Sequence, residues 1–390
     1  MDINDQIVTV KEVKAVYNHL NTPLLVSVSG AAFREQTDRI TALLHAIADA
    51  EAGTEGSVVP TSWGMVQDIV RAGLADKFFS IGDQLTCQRG GVNLVWDVIG
   101  IDHDTPADPQ FTHSLTLQLH DCFPTFIQFD APEALYYCDS ALVAGTYHFA
   151  VSGTDYQFTA SADIAAGSQL MLAFTSNVPS AITVASTVGG AVSEGSLTVT
   201  AGSGGTALDT DYLNDINRAR HGSNNYKESA IRQWLNSPAA AGSVWMPQNN
   251  FDRPPDLAAT TAGFMNGMDS DFLAVLGNVT KTTAKNSGGS DTTTEKFFLL
   301  SKSEVYGDLE NGVNEGAAYP YYANYSDLSA AGFREDGNRV KTKNSAPQNW
   351  WLRTSYYLDA YSVRYILQGG SISNVYARGS VSVAPACCII

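Results

Sequence analysis

The stretch NWWLRTSYYLDAYSVRYILQGGSISNVYARGSVSVAPACCII, residues 349–390, decides how the chain is read. It opens on a stiff apolar block, Trp350-Trp351-Leu352-Arg353, and closes on an apolar run from Val381 to Ile390. Between them, residues 355–382 hold five of the chain's seventeen tyrosines and six serines, and neither Lys nor Glu occurs after Lys343. Tyr with Ser, Gly and Asn is the palette of antibody-like contact surfaces: Tyr offers a large amphipathic area at low rotamer cost, and the small polar residues adapt their hydrogen bonds. A Tyr-rich sheet held by cross-strand aromatic pairs has the same composition and needs no ligand.

The pattern WWLRT…VR…GG…VAPACCI resembles the C-terminal variable region of proteins diversified by diversity-generating retroelements. The matching constant residues are Trp350, Trp351, Leu352, Arg353, Val363, Arg364, Gly370, Val383, Ala384, Pro385, Ala386 and Cys387. In that family a reverse transcriptase miscopies adenines, so Asn codons scatter into Tyr, Ser, Asp, Arg, Gly, Leu and similar residues. Positions here compatible with such scatter are Tyr356, Tyr357, Leu358, Asp359, Tyr361, Ser362, Tyr365, Leu367, Ser371, Ser373, Asn374, Tyr376, Arg378 and Ser380.

The resemblance implies an α+β fold: a C-type-lectin-like domain that displays those side chains as a ligand-binding surface. Trp234, Trp350, Trp351, Leu352 and Arg353 would serve as scaffold anchors. It further implies a non-enzymatic binding protein without catalytic residue, metal or cofactor, used for phage or cell-surface attachment to a host target. The expected partners are a host-surface protein or glycan, further copies of the chain in a homo-oligomer such as a trimer, and other virion or surface proteins. The expected location is a virion, in the receptor-binding region of a phage tail, or a bacterial cell surface. Within the surface, Tyr356, Tyr357, Tyr361, Tyr365, Tyr376 and Arg378 are the expected hot spots, since Tyr and Arg dominate binding energy at interfaces.

At 390 residues, 44% apolar and 16% charged, the chain has room for two or three domains. A formal charge of −17 argues against nucleic acid or an anionic membrane as main partner. No basic-then-apolar leader and no membrane-length apolar run is seen. Five cysteines (Cys87, Cys122, Cys138, Cys387, Cys388) with wide spacing fit reduced, buried thiols better than a disulfide framework.

Taken in order, residues 1–76 read as an N-terminal strand and helix segment for oligomerisation or attachment. In it Ile40, Leu43, Leu44 and Ile47 share one helical face, and a second helix starts after Pro60-Thr61-Ser62 with Trp63, Val66 and Val70 one turn apart. Residues 77–127 read as the first part of the lectin-like domain. FFSIGDQLTC, Gly90-Gly91 and VNLVWDVIGID make a hairpin signal, and SLTLQLH alternates strictly. Short alternating strands between 128 and 205 read as an inserted all-β sandwich of immunoglobulin-like kind. The lectin-like domain resumes over 206–390, with the variable region at about 350–390. YKESAIRQWLNS puts Ile231, Trp234 and Leu235 on one helical face, and FFLLSKSEVYG (297–307) reads as a strand. YPYYANYS (319–326) adds tyrosines that either flank the display surface or pack beneath it.

Catalytic signatures are sparse. His103, Asp104, His113, His120 and Asp121 tempt a metal reading, but in a regular strand His113 and His120 point to opposite faces. There is no HExxH, paired CxxC, dinucleotide fingerprint or P-loop. The tail also lacks the Glu-Pro-Asn or Gln-Pro-Asp tripeptide of calcium-dependent lectins. The alternative reading is a structural virion or surface protein that contacts partners through the β insert. An enzyme on the same fold is a third possibility, since a fold does not fix function.

Overall fold

The computed structural model describes residues 62–132, 136–138, 141–151, 154–166, 169–170, 181–188, 191–201, 221–246, 248, 254–322 and 337–390. The expected amphipathic helix around Ile40–Ile47, the rest of residues 1–61, and residues 202–205, whose Gly and Ser content reads as a linker returning to the lectin-like domain, lie outside them.

Helix α1, Trp63–Arg71, starts where the sequence signal put it: the Ser62 hydroxyl accepts the Met65 N–H at 3.2 Å and caps the first turn. Its 3.6-residue spacing turns Met65, Val66, Ile69 and Val70 into the main core. This corrects the boundary drawn at residue 76, because α1 and the short α2, Ala75–Phe78, pack on the body that follows. Gly90 and Gly91, both with positive φ, make the tight turn between β1, Gln84–Arg89, and β2, Val92–Ile101. β3, Leu115–Leu119, pairs with β2, and a register shift between Val98 and Gly100 bends the ladder. Gly100 sits at that shift because a Cβ there would stand 2.8 Å from His103 Cβ and 3.1 Å from the Tyr319 ring.

The strands between 136 and 201 form a separate antiparallel sheet. They are β4, Tyr136–Cys138; β5, Gly145–Val151; β6, Thr154–Ala160; β7, Gln169–Leu170; β8, Ala181–Val188; and β9, Ala191–Ala201. They hydrogen-bond in one continuous order, β6-β5-β8-β9-β4-β7. The expected two-sheet sandwich is therefore corrected to a single ladder among the described residues, since the long β9 pairs with β8 on one edge and β4 on the other. The start at 128 also moves. Phe129 is fully buried in the main core, and Asp130 accepts N–H bonds from Ser223 and Ala230.

After this sheet the chain returns with α3, Ala230–Leu235, capped by Ser229 and burying Ile231, Trp234 and Leu235. Then come α4, Ser270–Val275; β10, Leu276–Gly277; the hairpin β11, Val279–Ala284, with β12, Ser290–Glu295; and β13, Phe297–Phe298. The strand expected over 297–307 stops at Phe298. Ser301 and Glu304 form a reciprocal capping box that starts helix α5, Lys302–Tyr306, and left-handed Gly307 ends it. β14, Lys341–Lys343, and β15, Ala346–Gln348, make a small hairpin. It is followed by a three-stranded sheet of β16, Trp350–Ser355, β17, Ser362–Ile366, and β18, Ile372–Tyr376.

The last strand, β19, Ala386–Ile389, enters the first sheet between β3 and the β10/β13 pair, giving the order β1-β2-β3-β19-β10. All contacts are antiparallel, so residues on either side of the 136–201 sheet build one ladder. A short apolar run such as ACCII suits a strand covered on both faces. Cys387 and Ile389 face the core holding α1, α3, Trp96 and Trp351; Ala386 and Cys388 face a second one with Phe298, Tyr319, Tyr322 and Trp350. Burial on both sides also explains β3, whose Thr116 and Gln118 are as covered as its leucines. The molecule is thus mixed α+β with antiparallel sheets, and among the described residues no helix is long and apolar enough to cross a membrane.

Candidate functional site: the C-terminal tyrosine surface

The anchors come first. Strand geometry sends successive side chains to opposite faces, so Trp351 enters the main core and Trp350 and Leu352 enter the second. Their indole N–H groups are satisfied by the Ile127 and Arg339 carbonyls, each at 2.8 Å. Arg353 is fully buried, yet each of its five N–H donors has an acceptor. Thr282 O takes Nε, Leu299 O and Glu304 Oε2 take Nη1, and Glu304 Oε1 and Glu315 O take Nη2, at 2.6–3.2 Å. Burial works against its charge, but the Glu304 carboxylate more than offsets that, and the guanidinium stays charged.

Directly after this anchor the chain makes the loop 355–361, held from below by a residue far away in sequence. Asn224, 1% exposed, donates Nδ2 to the carbonyls of Tyr356 (3.2 Å), Asp359 (2.7 Å) and Ser362 (2.9 Å). Its own N–H goes to Ala360 O at 3.0 Å, and its carbonyl accepts the Ser355 hydroxyl at 2.7 Å. Asp359 closes the loop from within, its Oδ1 accepting the N–H groups of Tyr361 and Ser362. The grip is therefore almost wholly on main-chain atoms. Tyr357 (40% exposed) and Leu358 (64%) project from the loop without carrying it.

A second support is Glu310, 1% exposed, which binds Arg364 through both oxygens (2.9–3.2 Å), Lys302 (3.2 Å) and the Tyr357 N–H (3.4 Å). Arg364 in turn lies over the Tyr356 ring, 4.5 Å from its centroid. On the other side of the sheet end, His221 stacks on Tyr376 at 3.9 Å and 17°, with Tyr361 5.6 Å from Tyr376. Exposed Arg378 follows, its N–H on His221 O at 2.8 Å.

None of Tyr356, Tyr357, Tyr361, Tyr365 and Tyr376 is buried; Tyr357 and Tyr376 are the most open. Asn374, Arg378 and Ser380 are exposed as well, and Leu367, Ser371 and Ser373 are half-buried. Two positions depart from the expected pattern. Ser362 is 2% exposed; it pairs with Tyr376 across β17 and β18, and its carbonyl serves Asn224 and Tyr356. Asp359 is half-buried and spends its carboxylate on the loop's own backbone. Pairing across β17 and β18 also divides the set: Tyr365 opposes Ser373 on the face packed against Trp351, while Arg364 opposes Asn374 on the other.

Tyr319 and Tyr322 pack beneath the surface rather than beside it, both fully buried. Asn224, Glu310 and His221 are the participants that sequence reasoning missed. Nothing in their local sequence marks them, since their roles toward the tail come from contacts 47 to 157 residues away in the chain, from Glu310 with Tyr357 (47) to His221 with Arg378 (157).

The histidines considered for a metal lie in separate pairs: His113 with Asp102 (3.0 Å), His120 with Asp97 (2.8 Å), and His103 against Ala318 O and the Tyr319 ring. Among the described residues no group of three or more His, Cys, Asp or Glu is arranged to hold a metal. Burial pushes the Cys87 thiol up to about 11 and Cys122 up to about 12, and Cys387 and Cys388 well above the ordinary range, so these four free thiols are neutral packing groups.

No curated protein and no solved structure matches the chain. Residues 203–390 match the family described as a domain of unknown function (DUF6273). The matched stretch contains the whole tyrosine surface and its supports Asn224 and Glu310, whereas β2 and β3, which flank the last strand β19 in the sheet, lie before it.

Proposed function

We propose that this chain is a non-enzymatic binding protein whose C-terminal tyrosine surface, on a C-type-lectin-like scaffold, is diversified by a retroelement and attaches a phage or a cell surface to a host target. One observation carries the reading: the loop that bears the exposed Tyr357 and Leu358 is fastened through its main chain by a buried side chain outside the tail. Such a loop tolerates almost any exposed side chain, because substitutions away from caps and buried networks shift stability by less than about 0.5 kcal/mol. The buried anchors Trp350, Trp351, Leu352 and Arg353 directly before it supply the invariant counterpart.

The test is to sequence the DNA encoding residues 350–390 in many sibling isolates. Substitutions confined to adenine-bearing codons at exposed positions, with Trp350–Arg353, Ser362 and Asp359 nearly constant, are expected. Variation spread evenly through the anchors, or none beyond that of the rest of the gene, would sink the reading. A binding arm follows once a target is in hand. Changing Tyr357, Tyr361 and Tyr376 to Ala should weaken binding at least tenfold while leaving the fold intact.

A further inference from the structure

Beneath the surface, and independent of its proposed role, lies an arrangement that chemistry rather than packing explains. Lys281 on β11 projects into the second core with its side chain 3% exposed. All three of its N–H donors are taken, by Asp104 Oδ1, by Glu304 Oε1 at 3.0 Å and by the Tyr319 hydroxyl at 2.9 Å. Its Nζ also sits 4.0 Å from the centre of the Phe298 ring. Asp104, whose side chain is 9% exposed, directs its other oxygen Oδ2 at two donors, the Thr116 hydroxyl at 2.6 Å and the Tyr319 hydroxyl at 2.8 Å. The Cys388 thiol adds a weaker contact to Oδ2 at 3.4 Å.

We propose that Lys281 and Asp104 condense in the folded protein to an isopeptide bond, with Glu304 as the catalytic base. Each part that acyl transfer needs is in place. Lys281 Nζ is the nucleophile and Asp104 Cγ the electrophile. Thr116 and Tyr319 are donors preset on the oxygen that gains charge in the tetrahedral intermediate. Glu304 is in hydrogen-bond reach of the attacking nitrogen, and the two N–H bonds its carboxylate accepts from Arg353 hold it in position.

The steps balance without any co-reactant. In the resting pair, burial raises the Asp104 carboxyl but the Lys281 ammonium overcomes it and holds it down at about 2. One proton then crosses from Nζ to Oδ1, turning the ion pair into amine and acid; burial assists this exchange, while the Glu304 and Asp104 carboxylates, which hold the Lys281 ammonium above its ordinary range, oppose it. The Nζ lone pair attacks Cγ, and Oδ2 takes the negative charge facing Thr116 and Tyr319. Nζ passes a second proton to Glu304. Glu304 returns it to the Oδ1 hydroxyl, which leaves as water as the C–N bond gains amide character. One ammonium and one carboxylate become one amide and one water, and Glu304 is regenerated.

The bond would join residues 177 positions apart and so staple the segment after β2 to β11, on either side of the 136–201 sheet. Intact-mass spectrometry of the full purified chain tests it, followed by fragmentation of its digest. The wild-type chain is expected one water lighter than its sequence mass, with the Asp104 and Lys281 peptides linked to each other. Lys281→Arg is expected at full sequence mass, and Asp104→Asn is expected to lose ammonia and give the wild-type linked product. A folded wild-type chain at full sequence mass, with the two residues in separate peptides, overturns the proposal. So does a water loss that persists in Lys281→Arg.

Discussion

Replacing Asn224 by Ala is the perturbation that most directly probes how the tyrosine loop is held. The side chain gives two N–H groups to three carbonyls, at 2.7, 2.9 and 3.2 Å. Ser362 O keeps the Tyr356 N–H at 2.9 Å, so the loss falls on the Tyr356 and Asp359 carbonyls. Two net hydrogen bonds at about 0.5–1.5 kcal/mol each, plus roughly 1–3 kcal/mol for an acceptor left short in a buried site, put the cost at about 2–6 kcal/mol. Tyr357→Ser and Leu358→Ser, at positions 40% and 64% exposed, are expected within about 0.5 kcal/mol of wild type. Urea unfolding followed by tryptophan fluorescence reads the difference as a shift in midpoint at unchanged slope. If Asn224→Ala unfolds with wild-type midpoint, or if either exposed substitution costs more than about 2 kcal/mol, the separation between a fixed main chain and free side chains is wrong.

Two further outcomes follow from buried carboxylates. Glu310→Ala strands Arg364 and Lys302 beside each other, and breaking a buried pair from one side costs about 3–5 kcal/mol. The partial exposure of Arg364 puts this case at the low end of that range. Thermal unfolding checks it, and the Tyr356 and Tyr357 amides should also lose hydrogen-exchange protection. Glu315 has the opposite character: burial, opposed by Arg353, pushes its carboxyl from 4.5 up to about 7. The native state then holds a proton that the unfolded chain releases, so this group's contribution is complete below about pH 4.5. It drains as pH rises through 7, by an amount on the order of a few kcal/mol. Denaturant midpoints compared at pH 5 and pH 8 should show that fall, and Glu315→Gln should flatten it.

Local patterns in the sequence are enough to mark several elements. Ser62 before a 3.6-residue apolar stripe marked α1, Gly90-Gly91 marked the β1–β2 turn, and Ile231 with Trp234 and Leu235 marked α3. A local signal that was present went unread at Ser301-x-x-Glu304, where the capping box outweighs the apolar FFLL run and turns an expected strand into a helix. The 128 boundary failed for a different reason. Phe129 looks like any strand residue until Tyr226 and Trp351 are seen to pack around it.

By itself the sequence determined that the tail alternates between residues that must be buried and residues that need not be. The side-chain period of a strand and the hydrophobicity of Trp350, Trp351, Leu352 and the ACCII run are properties of the chain alone. Only the tertiary structure decided what those residues are buried against. It inserted β19 between β3 and β10, bringing the two ends of an interrupted domain into one ladder. It also set Asn224 under the tyrosine loop and Lys281 beside Asp104 and Glu304. Hydrogen bonds and ion pairs of that range depend on where distant segments meet, and no periodicity within either segment encodes the meeting.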